Sequence, residues 1–248
     1  MRVARFVTAP ATTLVLTAHG SRDPRSAANT RAIAGHLRRV APEFTVRVAF
    51  CEHSTPGLDD VLDTVAARTD RTVVVPFLLA SAYHARIDIP GVIARSGAAV
   101  QVAPTLGQDD RLVQVLGERL TAAGASRFDP ELGVVVVAVG SSHAAANAQT
   151  ARVAAPLSRG TRWAGVEVAF ATQGPSVPEA VERLKARGAT RLMIAPWFLA
   201  HGRITDGIAA YAARAGIAMA EPLGAHRLVA ATVLDRMEAA LAAGHAAA

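Results

Sequence analysis

The sequence predicts an α/β protein built from two similar halves, each with a doubly wound parallel sheet. One observation is that short apolar segments, typical of buried strands, alternate with longer segments of helical spacing. A second is that the order of segments repeats. Phe50 corresponds to Phe170 and Pro76 to Pro196, a constant separation of 120 positions (170 minus 50 and 196 minus 76). We therefore expect parallel strands covered by helices on both faces.

The elements of the first half can be assigned in chain order. The continuous apolar segment TTLVLTA predicts a buried strand, and the residues after it have the spacing of an amphipathic helix. A short helix near Pro90 should be capped by Asp88. The predicted strands lie at 12–18, 45–50, 72–79 and 98–104, and the longer helices at 25–40, near 56–68 and at 109–123.

The second half repeats this arrangement. Its predicted strands lie at 132–139, 165–170, 191–197 and 217–221. The two halves join within 122–133, a stretch with glycine, proline and polar residues. We therefore divide the chain into residues 1–124 and 131–248.

Composition and charge exclude several classes of protein. The net charge is +6, but the arginines are scattered singly and no nucleic-acid-binding motif is present, so no nucleic-acid partner is expected. Cys51 is the single cysteine, which favours a reducing compartment. The first 20 residues imitate a signal peptide, but cleavage there would remove the first strand. With no apolar run of membrane-spanning length, we predict a cytoplasmic protein that does not bind membranes.

Three residues with coordinating side chains follow the ends of predicted strands in the first half. His19 follows the first strand, Glu52 the second and His84 the third. Ligands of open parallel sheets bind outside the carboxyl ends of the strands, so the sheet should gather these side chains at one edge. Two imidazoles and a carboxylate suit a divalent metal such as Fe(II), Co(II), Ni(II) or Zn(II), and the same groups suit acid–base catalysis.

The second half has lost these side chains. Val139 stands where the first half has His19, and Thr172 stands where it has Glu52. His84 has no clear equivalent, because the segment is shortened around His201. The glycine and serine of the turn persist, however, as Gly140 and Ser141. A structural requirement should persist in both copies, so the contrast favours a functional role for the coordinating residues.

These motifs resemble the class II sirohydrochlorin chelatases, the CbiX/SirB family, in its long two-unit form. The resemblance rests on AHGSRDP, the glutamate after VRVAF, the segment VPFLLASAYHARIDIP and the duplicated layout. It implies a chelatase-like fold and insertion of Fe(II) or Co(II) into the tetrapyrrole sirohydrochlorin, for sirohaem or cobalamin biosynthesis, without ATP or another nucleotide. It also implies that His19, Glu52 and His84 bind the metal and act in catalysis.

The same resemblance sets expectations for the substrate site. The active cleft should lie between the halves, with residues 131–248 as its other wall, so that a monomer suffices. Sirohydrochlorin bears many carboxylates, and we expect Ser21, Arg22, Arg25 and Arg86 to contact it, with Arg203 nearby. Ser21 and Asp23 should also cap the following helix. His53 and Cys51 are expected to be structural, and His226 to be solvated.

Two other functions remain open on the sequence. A tetrapyrrole or metal carrier would keep the same fold and ligands without turnover. A zinc hydrolase would use the same ligands with an activated water. The choice between iron and cobalt also stays open, because both metals accept nitrogen and oxygen ligands.

Overall fold

The computed structural model describes residues 12–66, 71–80 and 87–246 of the chain. The elements of the first half are β1 (Thr12–Ala18), α1 (Pro24–Val40), β2 (Phe44–Phe50), α2 (Leu58–Ala66), β3 (Arg71–Pro76), α3 (Ile89–Ser96), β4 (Val100–Val102) and α4 (Asp110–Ala122). Those of the second half are β5 (Leu132–Ala138), α5 (Ala144–Ala151), α6 (Ala154–Ser158), β6 (Gly165–Phe170), α7 (Val177–Ala186), β7 (Arg191–Pro196), α8 (Arg203–Ala215), β8 (Ala218–Met219) and α9 (Arg227–Ala246).

Each half contains a four-stranded parallel sheet. The strand orders are β2-β1-β3-β4 and β6-β5-β7-β8. This is the doubly wound arrangement predicted from the sequence, and the separation of 120 positions holds for β1 against β5 and for β3 against β7. All carboxyl ends of one sheet meet at the same edge, and the chain after the central strand β1 emerges where the strand order reverses.

The central strands are apolar because helices cover both of their faces. Leu14 and Leu16 of β1 are fully buried in the large core that both halves share. Val15 points to the opposite face, where it packs with Leu58 and Leu62 of α2. Side chains of a strand alternate between faces, so one continuous apolar run fills two separate cores.

The predicted boundaries differ from the structure at three places. The third strand ends at Pro76 rather than at residue 79, because Leu78 turns back to donate to the Pro76 carbonyl. The fourth strands of the two halves are only three and two residues long. The predicted cap at Asp88 is wrong: its backbone already has helical angles (φ −69°, ψ −52°) and its side chain makes no capping hydrogen bond. The predicted cap at Asp23 is confirmed, with Asp23 Oδ1 accepting from the Arg25 amide.

The last helix of each half packs against the sheet of the other half. Helix α4 lies on β7 and on α6, whereas α9 lies on β3, β4 and α1. Leu112, Leu116 and Leu120 of α4 and Val229 and Val233 of α9 are buried in the shared core. The two halves are therefore interlocked by exchanged helices. None of the helices in the described ranges is both long and apolar enough to cross a bilayer.

Polar contacts fix this exchange. Arg236 of α9 reaches the loop before α4, where its guanidinium donates to the carbonyls of Thr105 (3.1 Å) and Leu106 (2.8 Å). The same guanidinium contacts the Asp109 carboxylate at 2.9 Å. In the opposite direction, Arg119 of α4 donates to the Leu223 carbonyl at 3.0 Å. Each exchanged helix thus binds the loop that precedes the other exchanged helix.

The prediction that His226 is solvated is wrong, because His226 caps α9. Its Nδ1 accepts from the Leu228 amide at 3.2 Å, as Asp109 accepts from Arg111 at the start of α4. Its Nε2 lies 3.2 Å from the Glu118 carboxylate of α4. Nδ1 must therefore be unprotonated for the cap to form, because only a lone pair accepts a hydrogen bond.

We predict that stability falls below neutral pH through His226. Burial lowers the pKa of His226 in the folded chain; Glu118 opposes this, and Arg119 and Arg227 reinforce it. The unfolded chain, with an ordinary imidazole pKa of about 6.5, then binds the proton more readily. The free energy of unfolding should decrease as the pH falls from about 6.5 toward the lower folded value.

His226→Asn supplies the matched comparison, because asparagine caps helices without titrating in this range. Urea unfolding of both proteins from pH 8 to pH 5 should show a steeper loss for the original chain. Parallel pH profiles for the two proteins would refute the assignment.

Candidate functional site

His19 and Glu52 lie side by side at the carboxyl edge of the first sheet. The Cys51 amide donates to the Ala18 carbonyl at 3.0 Å, and the Glu52 amide donates to the His19 carbonyl at 2.9 Å. These bonds continue the pairing of β1 with β2 beyond the ends of both strands. The structure therefore brings together two of the three predicted site residues.

The turn after His19 requires glycine. Gly20 has a φ of 92°, and a β-carbon there would overlap the carbonyl oxygen of Glu52. Ser21 extends the junction, since its amide donates to Ser54 Oγ (3.3 Å) and its carbonyl accepts from the same hydroxyl (3.1 Å). The loops after β1 and β2 are thus one connected unit.

His53 contacts one of the candidate ligands, which was not predicted from the sequence. Its Nε2 lies 3.2 Å from the Glu52 carboxylate, and about half of the Glu52 side chain is exposed (47%). Adjacent residues of an extended chain point in opposite directions, but His53 has a φ of 57°, which turns the chain back. The signal available in the sequence was only its position directly after Glu52.

His84 and Arg86 lie outside the described residues. His19 is half-buried, with its Nδ1 shielded from solvent. In the described ranges alone, no group of three or more His, Cys, Asp or Glu side chains has the arrangement of a metal site. His19 and Glu52 bring an imidazole and a carboxylate to this edge, and metal binding by these residues and by His84 stays a prediction.

A cavity of about 320 Å³ borders Glu52 and is also lined by Cys51, Asp88 and Arg95. Burial raises the pKa of Cys51 to about 11, with Asp88 and Glu52 adding to the effect. Near neutral pH the thiol is therefore protonated, which fits the structural role expected for it.

The second half keeps the backbone of the site with different side chains. The Thr172 amide donates to the Val139 carbonyl at 3.0 Å, matching the bond between Glu52 and His19. Gly140 has a φ of 93°, close to that of Gly20. Val139 is 42% exposed, and the Thr172 hydroxyl donates back to the Val139 carbonyl. The turn therefore forms without any coordinating residue, as the comparison of the repeats suggested.

Arg25 joins the two halves. Its guanidinium forms a two-pronged pair with Asp206 of α8 (3.0 and 2.6 Å) and also contacts Asp23. Hydrogen bonds from Arg25 lower the pKa of Asp23 to about 2 and also lower the pKa of Asp206. Substrate contact by Arg25 therefore requires these ion pairs to open. Arg22 is exposed, with no ion pair to another described residue.

The comparisons with known proteins match this duplicated arrangement. A family model described as CbiX matches residues 13–123 and, a second time, residues 133–240. The chain belongs to the CbiX family. The resemblance inferred from the sequence motifs is therefore confirmed.

Two relatives of this CbiX chain come from Priestia megaterium. A sirohydrochlorin cobaltochelatase is 28% identical over 194 residues, which are 74% of this chain and 63% of that protein. A sirohydrochlorin ferrochelatase is 24% identical over 197 residues, 77% of this chain and 74% of the relative. The chain thus spans somewhat less than two thirds of the cobaltochelatase.

A solved structure has the same fold. SirB from Bacillus subtilis, solved with Fe³⁺, superposes with a TM-score of 0.77 at 21% identity, covering 92% of this chain and 94% of SirB. The predicted chelatase-like fold with two doubly wound halves is confirmed.

We predict that Gly20→Ala breaks the junction between His19 and Glu52. The added methyl group makes the positive φ of this residue unfavourable, and it also overlaps the Glu52 carbonyl. The free energy of unfolding should therefore decrease by at least about 3 kcal/mol. Gly97→Ala is the control, because Gly97 has a φ of 64° but open space around it. It should lose only about 1–2 kcal/mol. Equal losses in thermal or urea unfolding would contradict this account.

Proposed function

We propose that this chain inserts Fe(II) or Co(II) into sirohydrochlorin. The observation that carries the proposal is the match of the CbiX model to both repeats, of which only the first bears His19 and Glu52 at its sheet edge. The names of the two Priestia relatives, one a cobaltochelatase and one a ferrochelatase, support the reaction and both metals. In this proposal the metal is a substrate.

The reaction exchanges one divalent ion for two protons. The metal forms bonds to the pyrrole nitrogens while two pyrrole N–H bonds break, and both protons must be accepted. We assign metal binding to His19, Glu52 and His84, and proton acceptance to the histidines, whose neutral form suits both tasks. Glu52 is half exposed, which suits a ligand that must also release the metal.

The substrate contacts are assigned by charge. We propose that Ser21, Arg22, Arg25 and Arg86 meet carboxylates of sirohydrochlorin, Arg25 after release from Asp206. The second half, residues 131–248, forms the other wall of the cleft opposite the first half, residues 1–124. The pairing of Arg25 with Asp206 supports this, because it joins α1 and α8 next to the His19 loop. We expect one chain to act as a monomer in the cytoplasm, without a nucleotide.

We predict that His19→Ala lowers turnover by at least about 100-fold, because it removes a ligand and proton acceptor. Glu52→Gln should lower it by about tenfold or more. The measurement is the absorbance change of sirohydrochlorin with Fe(II) or Co(II) under anaerobic conditions. His143→Ala is the control, since His143 lies exposed in the corresponding loop of the second half.

Each result of that assay has a clear meaning. Full activity of the His19→Ala protein would overturn the site assignment. Binding of sirohydrochlorin and metal by the original chain without turnover would favour a carrier over an enzyme.

We also predict one productive metal site per chain. The second half presents Val139 and Thr172 at the corresponding edge, and His201 is paired with Glu221 at 2.7 Å. Titration of the chain with Co(II), followed by its absorption bands, should saturate at one equivalent, and His201→Ala should leave this unchanged. Two equivalent sites, or loss of the site in the His201 variant, would disprove the proposed division between the halves.

A further inference from the structure

A cavity of about 420 Å³ lies where α1 meets the loops after β7 and β8. Much of its lining is apolar, with Ala28 and Ala32 of α1 on one side and Ala225 and Pro222 on the other. Its polar lining residues are Arg25, Asn29, Arg119, His201 and Glu221. Because α1 begins at Pro24, it connects this cavity to the loop that holds His19.

The charged side chains of the lining have ionisable side chains as partners, with one exception. Arg25 is held by Asp23 and Asp206, and His201 by Glu221. The Asn29 amide donates to the Leu199 carbonyl. In the described part of the chain no carboxylate forms an ion pair with Arg119, whose single acceptor is the Leu223 carbonyl. The Nε of Arg119 is buried without a hydrogen-bond partner.

The other repeat shows how such an arginine is satisfied. Arg236 occupies the corresponding position on α9, and both of its bonding nitrogens have acceptors, including the Asp109 carboxylate. Where the first half has Asp109, the second has His226, which brings no negative charge. The carboxylate that neutralises one arginine is therefore missing beside the other, and the cavity lies there instead.

We propose that Arg119 binds a carboxylate substituent at the rim of the tetrapyrrole. A guanidinium that lines a cavity and has no protein carboxylate as its own partner is suited to a planar anion, and it recognises carboxylates by paired hydrogen bonds. Glu221 of the same lining is paired with His201. The alanine-rich lining packs against the apolar edge next to that substituent. This inference rests on the proposed function and makes Arg119, on an exchanged helix, a specificity-determining residue for the substrate.

Binding without metal tests the inference separately from catalysis. Metal-free sirohydrochlorin is titrated into the full chain and followed by its absorbance. Arg119→Gln should bind at least about tenfold more weakly, as expected for loss of a charged hydrogen bond. Arg227→Gln removes the same charge from an exposed site nearby and should stay within about twofold. Unchanged affinity in the Arg119 variant overturns the inference.

A second pair of variants leaves Arg119 in place, in case its loss prevents folding. Ala28→Leu fills the cavity from α1, whereas Ala148→Leu makes the same change at the corresponding exposed position of α5, outside the cavity. Only the first should weaken the binding of sirohydrochlorin. Equal affinity in both variants counts against the cavity as a substrate site.

The alternative occupant of the cavity is a free carboxylate or phosphate ion instead of a carboxylate of sirohydrochlorin. Thermal unfolding with acetate or inorganic phosphate separates the two sources. Stabilisation by these ions that disappears in Arg119→Gln, together with unchanged sirohydrochlorin affinity, would assign the cavity to a free anion and overturn the inference. If the original chain does not bind sirohydrochlorin at all, the proposed function fails. If the original chain turns it over and Arg119→Gln is unaffected, only this inference fails.

Discussion

The rest of the molecule depends on the reciprocal packing of α4 and α9. Each helix supplies the apolar surface that covers the partner sheet, so the core under β1 and the core under β5 are continuous. Burial of apolar surface is the main stabilising contribution in a domain, and here most of it is shared between the repeats. The relative position of the two sheet edges follows from this packing, as does the cavity where α1 meets the loops after β7 and β8.

Much of the fold follows from local patterns in the sequence. The continuous apolar runs of β1 and β5 identify central strands, and their constant separation identifies the repeat. The exchange of α4 and α9 does not follow from such patterns, because each helix has an apolar face that fits two nearly identical sheets. Only the three-dimensional packing decides between them. The lengths of β4 and β8 were overestimated because the apolar residues continue past the point where strand pairing ends.

The candidate site was partly predictable for a geometric reason. His19 and Glu52 follow neighbouring parallel strands, so their proximity is a property of the sheet. The contact of His53 with Glu52 depends on one positive φ, which spacing does not show. The pairing of Arg25 with Asp206 joins residues that are 181 positions apart. It could not be predicted without knowing how the two halves are placed relative to each other. The second repeat also acts as an internal comparison, because it keeps the turn but has Val139 and Thr172 in place of His19 and Glu52.

The exchanged helices also bear on how the chain is made. During synthesis the first half leaves the ribosome with α4 complete but with the face of β3 and β4 uncovered, since α9 follows all four strands of the second sheet. The first repeat therefore cannot finish its core until α9 has been added. Folding of the edge that carries His19 and Glu52 is therefore tied to synthesis of the second repeat. A product truncated before α9 would lack the packing against β3, β4 and α1, the helix that follows the His19 loop.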